Sequence, residues 1–430
     1  MKAYLVTKKG GRAMMIKNKR GVFIGVVCVL ATLMVLYFGS VHARAGEAKT
    51  VKIGTSLPLS ISFGVNIAEG LQACVDKVNQ EGGLKVGGER YLINMVIYDD
   101  KYRPDVGRAA IERLINADKV TAIVGTAASP VAYASLPVVQ AAGVPMFASA
   151  WTEKLLDPKL RYVYTTTTAR SADCFYSMIV REVEPKIKTA VLAAADHETG
   201  HICMEKATKY LKYNGTNILD TFYFPFRTKD NAPIATRMAA KNPDFFAMPG
   251  SGGSAESIGL ALKAVADTGW RGPMFVTASP VIKDLYEICP AGQADILYVP
   301  LTDYTSLPKP PKLAMELREV FEQKYGYWRE VGPFWTLPFW FFKASVEKAG
   351  SFEPDAIDQA MGKIGVISTP LGEAVMIKRP DKGIDRNIDA LVAPTLAKVK
   401  GDKAVFVASW SVEDAVKEFE NVVGFKGQWK

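Results

Sequence analysis

The chain has 430 residues, enough for two or three ordinary domains, and its 49% hydrophobic and 23% charged residues are typical of a globular protein. Its formal net charge of +9 comes from the N-terminus, because eight basic residues and no acidic residue lie in the first 45 positions. The rest of the chain carries 45 basic against 44 acidic residues, so it lacks the basic excess that a nucleic-acid-binding domain needs.

The N-terminal segment has the pattern of an export signal. A basic run at residues 17–20 precedes an uncharged stretch at 21–39, and Ala43 and Ala45 fit the A-x-A rule of signal peptidase. A retained membrane anchor is the alternative, because about 19 apolar residues are just long enough to cross a bilayer. We expect residues 1–45 to be a signal peptide and the mature protein to be periplasmic.

Four cysteines follow this segment, and an oxidising compartment permits three pairings among them. They are Cys74, Cys174, Cys203 and Cys289. None has the short spacing of a metal site, and the sequence predicts neither a metal nor a cofactor. Buried free thiols and disulfide bridges both remain open.

Short apolar runs alternate with amphipathic segments from residue 50 onward. The first unit has predicted strands at 51–55, 91–98, 120–125 and 145–148, and predicted helices at 68–80, 105–117 and 131–142. The pattern restarts with strands at 189–195, 218–224, 245–248 and 274–277, and helices at 202–213, 232–240 and 255–268. Further helices are predicted at 312–326 and 333–349. This alternation predicts two α/β lobes with parallel sheets, and open sheets of this kind bind ligands at the carboxyl ends of their strands.

Several short motifs stand in an order typical of one family. They are I-G-T-S-L-P-L at 53–59, V-N-Q-E-G-G at 78–83, D-D with a following proline at 99–104, I-V-G at 123–125, G-V-P at 143–145, P-D at 243–244 and T-P-L-G at 369–372. With these motifs the chain resembles the type I periplasmic binding proteins, specifically the branched-chain amino-acid (Leu/Ile/Val) binding group, over nearly all of residues 50–410.

The resemblance implies two Rossmann-like lobes with parallel sheets, joined by a hinge of three crossings near Thr168, Val299 and Pro370. Lobe 1 would comprise residues 50–168 and 303–370, and lobe 2 would comprise residues 172–298 and 373–430. The implied function is that of a monomeric substrate-binding subunit, which closes on a small molecule and delivers it to an ABC permease in the membrane. A second possibility is an extracytoplasmic ligand sensor that docks to another protein.

The resemblance also assigns ligand contacts in lobe 1. Ser129, Ala150 and Thr152 match the positions at which the family holds a ligand carboxylate, and Trp151 lies between the last two. Phe63 matches an aromatic residue that covers the ligand. Backbone N–H groups at strand-to-helix turns bind anions in many folds, so this assignment also has a general physical basis. For Ser129 and Thr152 the alternative is simple helix capping.

Two departures from the family pattern bear on the ligand. The family pairs the ligand's ammonium group with acidic side chains, but Arg170 and Ser279 occupy the matching positions, and Asp173 could substitute only after a shift of three residues. Since a buried ammonium needs a counter-charge, we expect a ligand without an α-amino group. A carboxylate with an apolar or aromatic body, or a neutral amide, fits better, with Arg170 binding the carboxylate. A structural salt bridge at the hinge is the alternative role for Arg170.

One motif suggests a different function. His197, Glu198 and His201 match the zinc-protease pattern H-E-x-x-H, in which two histidines bind zinc and the glutamate acts as the base. The motif directly follows a predicted strand, however, and Gly200 falls where a turn is expected. We therefore favour histidines that line the cleft or lie in an exposed turn, and we expect no catalysis.

Two further segments are candidates for the cleft. Residues 250–254 (G-S-G-G-S) follow a strand and open a helix, which suits a ligand loop made of small residues. The aromatic run at 334–342 is most often core at such spacing, although Trp335 could reach the cleft from lobe 1.

Overall fold

Two β-sheets organise the chain, which this computed structural model describes at residues 49–226, 228–250, 255–289 and 292–425. The signal peptide expected at residues 1–45 lies outside these ranges. Within them, no helix combines the length and the hydropathy needed to cross a membrane.

The strands and helices are numbered in chain order over the described residues. The strands are β1 (Lys49–Leu57), β2 (Leu84–Val86), β3 (Glu89–Asp99), β4 (Ala122–Val124), β5 (Met146–Ala148), β6 (Val163–Thr165), β7 (Thr189–Ala195), β8 (Asn217–Phe224), β9 (Phe245–Met248), β10 (Met274–Val276), β11 (Leu297–Pro300), β12 (Val366–Thr369), β13 (Gly372–Arg379), β14 (Ile384–Val392), β15 (Thr395–Lys400) and β16 (Lys403–Ser409). The helices are α1 (Ser62–Gln80), α2 (Pro104–Asn116), α3 (Ser129–Ala142), α4 (Ala169–Met178), α5 (Glu198–Tyr213), α6 (Ala232–Ala239), α7 (Ala255–Asp267), α8 (Ile282–Ile288), α9 (Lys312–Tyr325), α10 (Val331–Phe334), α11 (Leu337–Ala349), α12 (Pro354–Met361) and α13 (Val412–Val423).

The first sheet, which defines lobe 1, has the order β12-β13-β14-β6-β5-β4-β1-β3-β2. Its central strands from β14 to β3 run parallel. Strands β2, β12 and β13 pair antiparallel at the two edges. Apolar side chains cover both faces, with Leu71 and Phe342 in one core and Leu114 and Val139 in another. Burial on both faces explains why the central strands read as continuous apolar runs.

The second sheet, which defines lobe 2, has the order β16-β15-β11-β10-β9-β7-β8. Strands β8 to β11 run parallel, and β15 and β16 continue the sheet antiparallel. The prediction of two α/β lobes, each with its own sheet, is confirmed. The sheets are mixed and mostly parallel, whereas the sequence predicted parallel sheets.

The third passage between the sheets differs from the expectation. Strand β14 pairs in parallel with β6 through Asp389 and Thr165, and β13 pairs with β14, so both strands belong to lobe 1. The chain enters the second sheet only between Val392 and Thr395. The expected boundary near Pro370, with residues 373–430 in lobe 2, is therefore corrected for residues 373–392.

The four cysteines among the described residues are free thiols. Cys74, Cys174, Cys203 and Cys289 are all buried. Burial raises the pKa of each thiol, to about 11 for Cys289 and further for the other three.

Buried charges hold the passages between the lobes. Asp389 accepts hydrogen bonds from Arg170 Nε at 2.9 Å and from Arg379 Nη1 at 2.6 Å, and neither guanidinium is more than 2% exposed. Four basic and four acidic residues, Asp389 included, form a set of ion pairs that we call the hinge ion cluster. It comprises Glu153, Arg170, Asp173, Lys206, Arg379, Asp381, Lys382 and Asp389. Charges this deep are tolerated because each has an opposite partner.

The pKa values of two carboxyl groups in this cluster are shifted in opposite directions. Burial raises the pKa of Asp173 to about 6, although Arg170 and Lys206 pull it down. Burial opposes ionisation of Glu153 as well, but Arg170, Lys206 and Arg379 outweigh it and hold the pKa of Glu153 well below its usual range.

Replacing Asp389 by Asn should lower the free energy of unfolding by about 3–5 kcal/mol, because two buried guanidinium groups would lose their shared carboxylate. Asp385→Asn on the same strand is the matched control, since Asp385 is 91% exposed and pairs with Lys378 at the surface. We expect that control to cost no more than about 1 kcal/mol. Urea unfolding of both variants measures the difference, and equal losses would contradict a stabilising role for Asp389.

The Asp173→Asn variant should gain stability relative to wild type as the pH rises. Folded Asp173 has a pKa of about 6, against about 4 in an unfolded chain, so the folded state binds more protons between these values. Wild type therefore loses free energy of unfolding as the pH rises from 4.5 to 7, by about 2 kcal/mol at this group. Asn does not titrate, so the difference between the two proteins should grow over this range. A pH-independent difference would show that Asp173 ionises normally.

Candidate functional site

A cleft of about 480 Å³ lies between the carboxyl ends of the parallel strands of the two lobes. Loops from both sheets line it, as expected for open α/β folds. The lining includes Phe63, Asn66, Tyr102, Ser129, Trp151 and Trp335 of lobe 1, and His197, Phe226 and Ser279 of lobe 2.

Three aromatic rings form the lobe 1 wall. The Phe63 ring, in the first turn of α1, meets the Trp335 ring edge-on at a centroid distance of 5.0 Å. Trp151, in the loop after β5, lies 6.2 Å from Trp335. Trp335 sits between α10 and α11 and reaches the cleft, as the sequence suggested. The wall offers an apolar aromatic surface that suits a ring or a branched chain.

The polar groups of this wall are neutral donors. Ser129, the first residue of α3, accepts the backbone N–H of Trp151 at 3.2 Å, which leaves its own hydroxyl hydrogen for another acceptor. The side-chain oxygen of Asn66 accepts from Arg329, so its NH₂ group is left to donate. Within the described residues, the buried Nε1 of Trp151 has no acceptor. Such an unpaired buried donor is costly and calls for a partner.

His197 supplies a further donor from lobe 2. It is the N-cap residue of α5, and its Nδ1 accepts the backbone N–H of Gly200 at 3.0 Å. Burial lowers the pKa of this imidazole, so the ring is neutral at pH 7 and carries its proton on Nε2. Its ring also meets Phe226 edge-on at 4.6 Å.

The H-E-x-x-H motif does not form a zinc site in this geometry. It straddles the start of α5, and His197 uses one ring nitrogen for the cap. Glu198 accepts from Thr152 at 3.0 Å and pairs with Lys154 at 3.1 Å, while His201 Nε2 lies 2.8 Å from Asp196. Among the described residues, no group of three metal-ligating side chains comes together. The zinc-hydrolase alternative is unsupported.

Gly200 fixes this local turn. A Cβ atom at this position would lie 2.0 Å from the backbone oxygen of Ala195, so the strand end and the helix start approach too closely for any side chain. Such an approach is typical of a strand-to-helix turn and not of the helix interior that zinc proteases use.

Four of the seven predicted contact residues line the cleft. They are Phe63, Ser129, Trp151 and Ser279. Ala150 and Thr152 are fully buried and lie outside the lining. Thr152 Oγ1 accepts the backbone N–H of Lys154 at 3.2 Å, which is the capping role given as its alternative. Part of the 250–254 loop lies outside the described residues, although Gly250 lines the cleft.

Arg170 is the clearest correction. Its guanidinium is 2% exposed, lies outside the cleft lining and pairs with Asp389, Glu153 and Asp173. This geometry contradicts a ligand contact and agrees with the structural salt bridge given as the alternative. Because its partner Asp389 is 219 positions away in the chain, no local sequence pattern predicts this ion pair.

The sequence reasoning missed several lining residues, among them Asn66, Tyr102 and Phe226. Asn66 lies three residues after Phe63 on α1, so it shares a helix face with a predicted contact, and this spacing could have revealed it. Tyr102 follows the Asp99–Asp100 turn that served only as a family marker. The charged residues Lys229, Glu256 and Asp284 also border the cleft, but all three are exposed to solvent.

Comparison with known proteins agrees with this architecture. The sequence model of a family described as periplasmic binding protein matches residues 50–394. The chain belongs to the periplasmic binding protein family. Leu/Ile/Val-binding protein homolog 7 of Brucella suis is 26% identical over 226 residues, which are 49% of this chain and 55% of that protein. The chain thus spans about half the length of the curated relatives it matches.

Solved structures of other periplasmic binding proteins share the fold. The branched-chain amino acid transporter substrate-binding protein LivJ of Streptococcus pneumoniae, in complex with isoleucine, has a TM-score of 0.66 at 19% identity, covering 84% of this chain and 99% of its own. An ABC transporter solute-binding protein of R. palustris in complex with 4-hydroxybenzoate has a TM-score of 0.69 at 18% identity, covering 84% and 97%. At these identities the likeness establishes the fold.

The lobes of this periplasmic binding protein touch beside the cleft. Residues 152–154 of lobe 1 contact α5 of lobe 2 through two ion pairs. Lobe 1 supplies the base in one pair, Lys154 with Glu198 at 3.1 Å, and the acid in the other, Glu153 with Lys206 at 3.0 Å. Trp151, which lines the cleft, directly precedes these residues. The contact between the lobes and the cleft wall are therefore adjacent in the chain.

His197→Ala should destabilise the protein by about 1 kcal/mol through loss of the α5 cap, whereas His201→Ala should be nearly neutral because its contact with Asp196 is exposed. Thermal unfolding with and without Zn²⁺ measures both effects. We expect Zn²⁺ to leave the wild-type transition unchanged. Stabilisation by Zn²⁺ that both variants abolish would instead establish a metal site.

Proposed function

We propose that this chain is the periplasmic substrate-binding subunit of an ABC importer and captures a small carboxylate with an aromatic or apolar body. The observation that supports this best is the chemistry of the cleft interior, where an aromatic wall meets neutral hydrogen-bond donors. The charged residues at the cleft lie at its exposed border.

The donors suit a carboxylate. Ser129 Oγ, the buried Nε1 of Trp151, the NH₂ group of Asn66 and Nε2 of His197 can all donate hydrogen bonds, and a carboxylate accepts at two oxygens. Ser129 also opens the 14-residue helix α3, whose N-terminus favours negative charge. Hydrogen bonds to an ionised acceptor are stronger than those between neutral groups.

Among the described residues that line the cleft, no buried acidic side chain is available to pair with an α-ammonium group. At the two positions where the family places acids, Arg170 is taken up by the hinge ion cluster and Ser279 is neutral. The acids of the described lining are Glu256 and Asp284, and both are exposed at the border, where water weakens their attraction for a cation. Proteins of this fold take both isoleucine and 4-hydroxybenzoate, so the inference depends on these side chains and not on the fold.

The two-lobed build supports delivery of the ligand to a permease. A ligand that contacts both lobes stabilises the closed state by its differential affinity, and this change of shape is what a membrane permease can recognise. Contacts from Ser129 in lobe 1 and His197 in lobe 2 would bridge the cleft in this way. We place the mature protein in the periplasm as a monomer, in line with the expected signal peptide.

A thermal-shift screen of residues 46–430, followed by calorimetry, tests the ligand class. The probes are benzoate, 4-hydroxybenzoate, benzamide, leucine, isoleucine and valine. We expect one of the aromatic acids to stabilise the protein, by about 2.7 kcal/mol at 100 times its Kd, and the amino acids to have no effect. Tight binding of leucine, isoleucine or valine without a response to the acids would reject the proposed ligand class.

Ser129→Ala should weaken binding of the acid about tenfold or more, because a hydrogen bond to a charged acceptor contributes about 1.5–3 kcal/mol. Ser135→Ala is the matched control, since Ser135 is buried in the same helix and its hydroxyl donates to the backbone oxygen of Val131 at 2.8 Å. Calorimetry with the aromatic acid compares the two. Equal affinities would mean that Ser129 serves only as a structural residue.

A further inference from the structure

Tyr102 follows a turn with an unusual backbone. Lys101 and Tyr102, at the end of β3, are two successive non-glycine residues in the left-handed region, with φ values of 53° and 58°. This region is disfavoured for residues with a Cβ atom and is often retained at functional sites. Asp99 and Asp100 hold the turn by accepting the backbone N–H groups of Lys101 at 2.9 Å and Tyr102 at 2.7 Å.

The turn brings Tyr102 to the cleft and to the opposite lobe. The Tyr102 ring stacks on Phe226 of lobe 2 at a centroid distance of 6.5 Å and an interplanar angle of 30°. Phe226 follows β8, is 42% exposed and also contacts the ring of His197. Because the first sheet carries Tyr102 and the second carries Phe226, the two rings can stack only when the lobes are together.

The sheet order places this pair at one end of the cleft. In the first sheet, β3 lies two strands from β4, which leads to Ser129, and three strands from β5, which leads to Trp151. In the second sheet, β8 is the edge strand beside β7, which leads to His197. With about 4.8 Å between neighbouring strands, roughly 10 Å separates the strand end near Tyr102 from the one near Ser129. A carboxylate held at Ser129 therefore leaves room for about one ring before the Tyr102–Phe226 pair.

We propose that Tyr102 and Phe226 form an aromatic clasp that closes this end of the cleft and limits the ligand to a single-ring acid. The clasp rests on the proposed function, because it takes the cleft to be the ligand site. A one-ring acid lets the rings stack, so the lobes close completely over it. A longer acid projects between the rings and prevents their contact, so closure no longer contributes to its affinity.

Calorimetry of residues 46–430 with 4-hydroxybenzoate and biphenyl-4-carboxylate tests the clasp. We expect Tyr102→Ala and Phe226→Ala to bind 4-hydroxybenzoate about tenfold more weakly than wild type and to bind biphenyl-4-carboxylate about tenfold more tightly. Tyr213→Ala, which removes a 52% exposed ring at the far end of α5, is the matched control and should behave as wild type. An unchanged ratio of the two affinities in both alanine variants would overturn the clasp.

Small-angle X-ray scattering without ligand separates failure of the clasp from failure of the proposed ligand class. If wild type binds neither acid, a larger radius of gyration for the two clasp variants than for wild type and Tyr213→Ala still supports the clasp and rejects only the ligand class. Equal radii in that case overturn the clasp. If wild type binds the single-ring acid and the alanine variants keep its selectivity, the clasp fails and the ligand class stands.

Discussion

The arrangement of the lobes depends on the ion pairs that the Asp389 carboxylate forms with Arg170 and Arg379. This carboxylate binds two guanidinium groups that are almost fully buried, one on the helix that leaves the first sheet and one on the hairpin that returns to it. Separating these three buried charges would leave at least one of them without an opposite partner, which is strongly destabilising. The ion pairs therefore fix α4 against β13 and β14. The same pairing withdraws Arg170 from the cleft. A constraint on the hinge thus determines the chemistry available to the ligand.

The segment from Trp151 to Lys154 connects that constraint to the cleft. Trp151 lines the aromatic wall, and Glu153 joins the hinge ion cluster while it pairs with Lys206 of the other lobe. Thr152 and Lys154 on either side contact Glu198 at the start of α5, one residue after His197. A ligand bound against Trp151 and His197 would therefore act beside the groups that hold the lobes together, and this adjacency would couple binding to closure.

The sequence predicted the local parts of this structure well and the distant pairings poorly. Strand and helix alternation locates both sheets, and the ends of parallel strands bring Phe63, Ser129, Trp151 and Ser279 to one cleft because topology alone requires it. The β13–β14 hairpin was misplaced because its place depends on pairing with β6, more than 200 positions earlier. Arg170 was misread for the same reason. Residue type at a position indicates what a side chain can bind, whereas only the fold shows what already binds it.

The titratable groups at the hinge and in the cleft differ in their pKa shifts. The Nδ1 atom of His197 accepts the Gly200 N–H group that caps α5, so adding a proton there would break the cap, and burial already lowers the pKa of this ring. His197, the donor from lobe 2 that lines the cleft, is therefore uncharged at pH 7. Asp173 in the hinge ion cluster instead ionises near pH 6, because burial raises its pKa. Ionisation of Asp173 acts on its ion pair with Arg170 at the hinge, whereas protonation of His197 would act on the α5 cap beside the cleft.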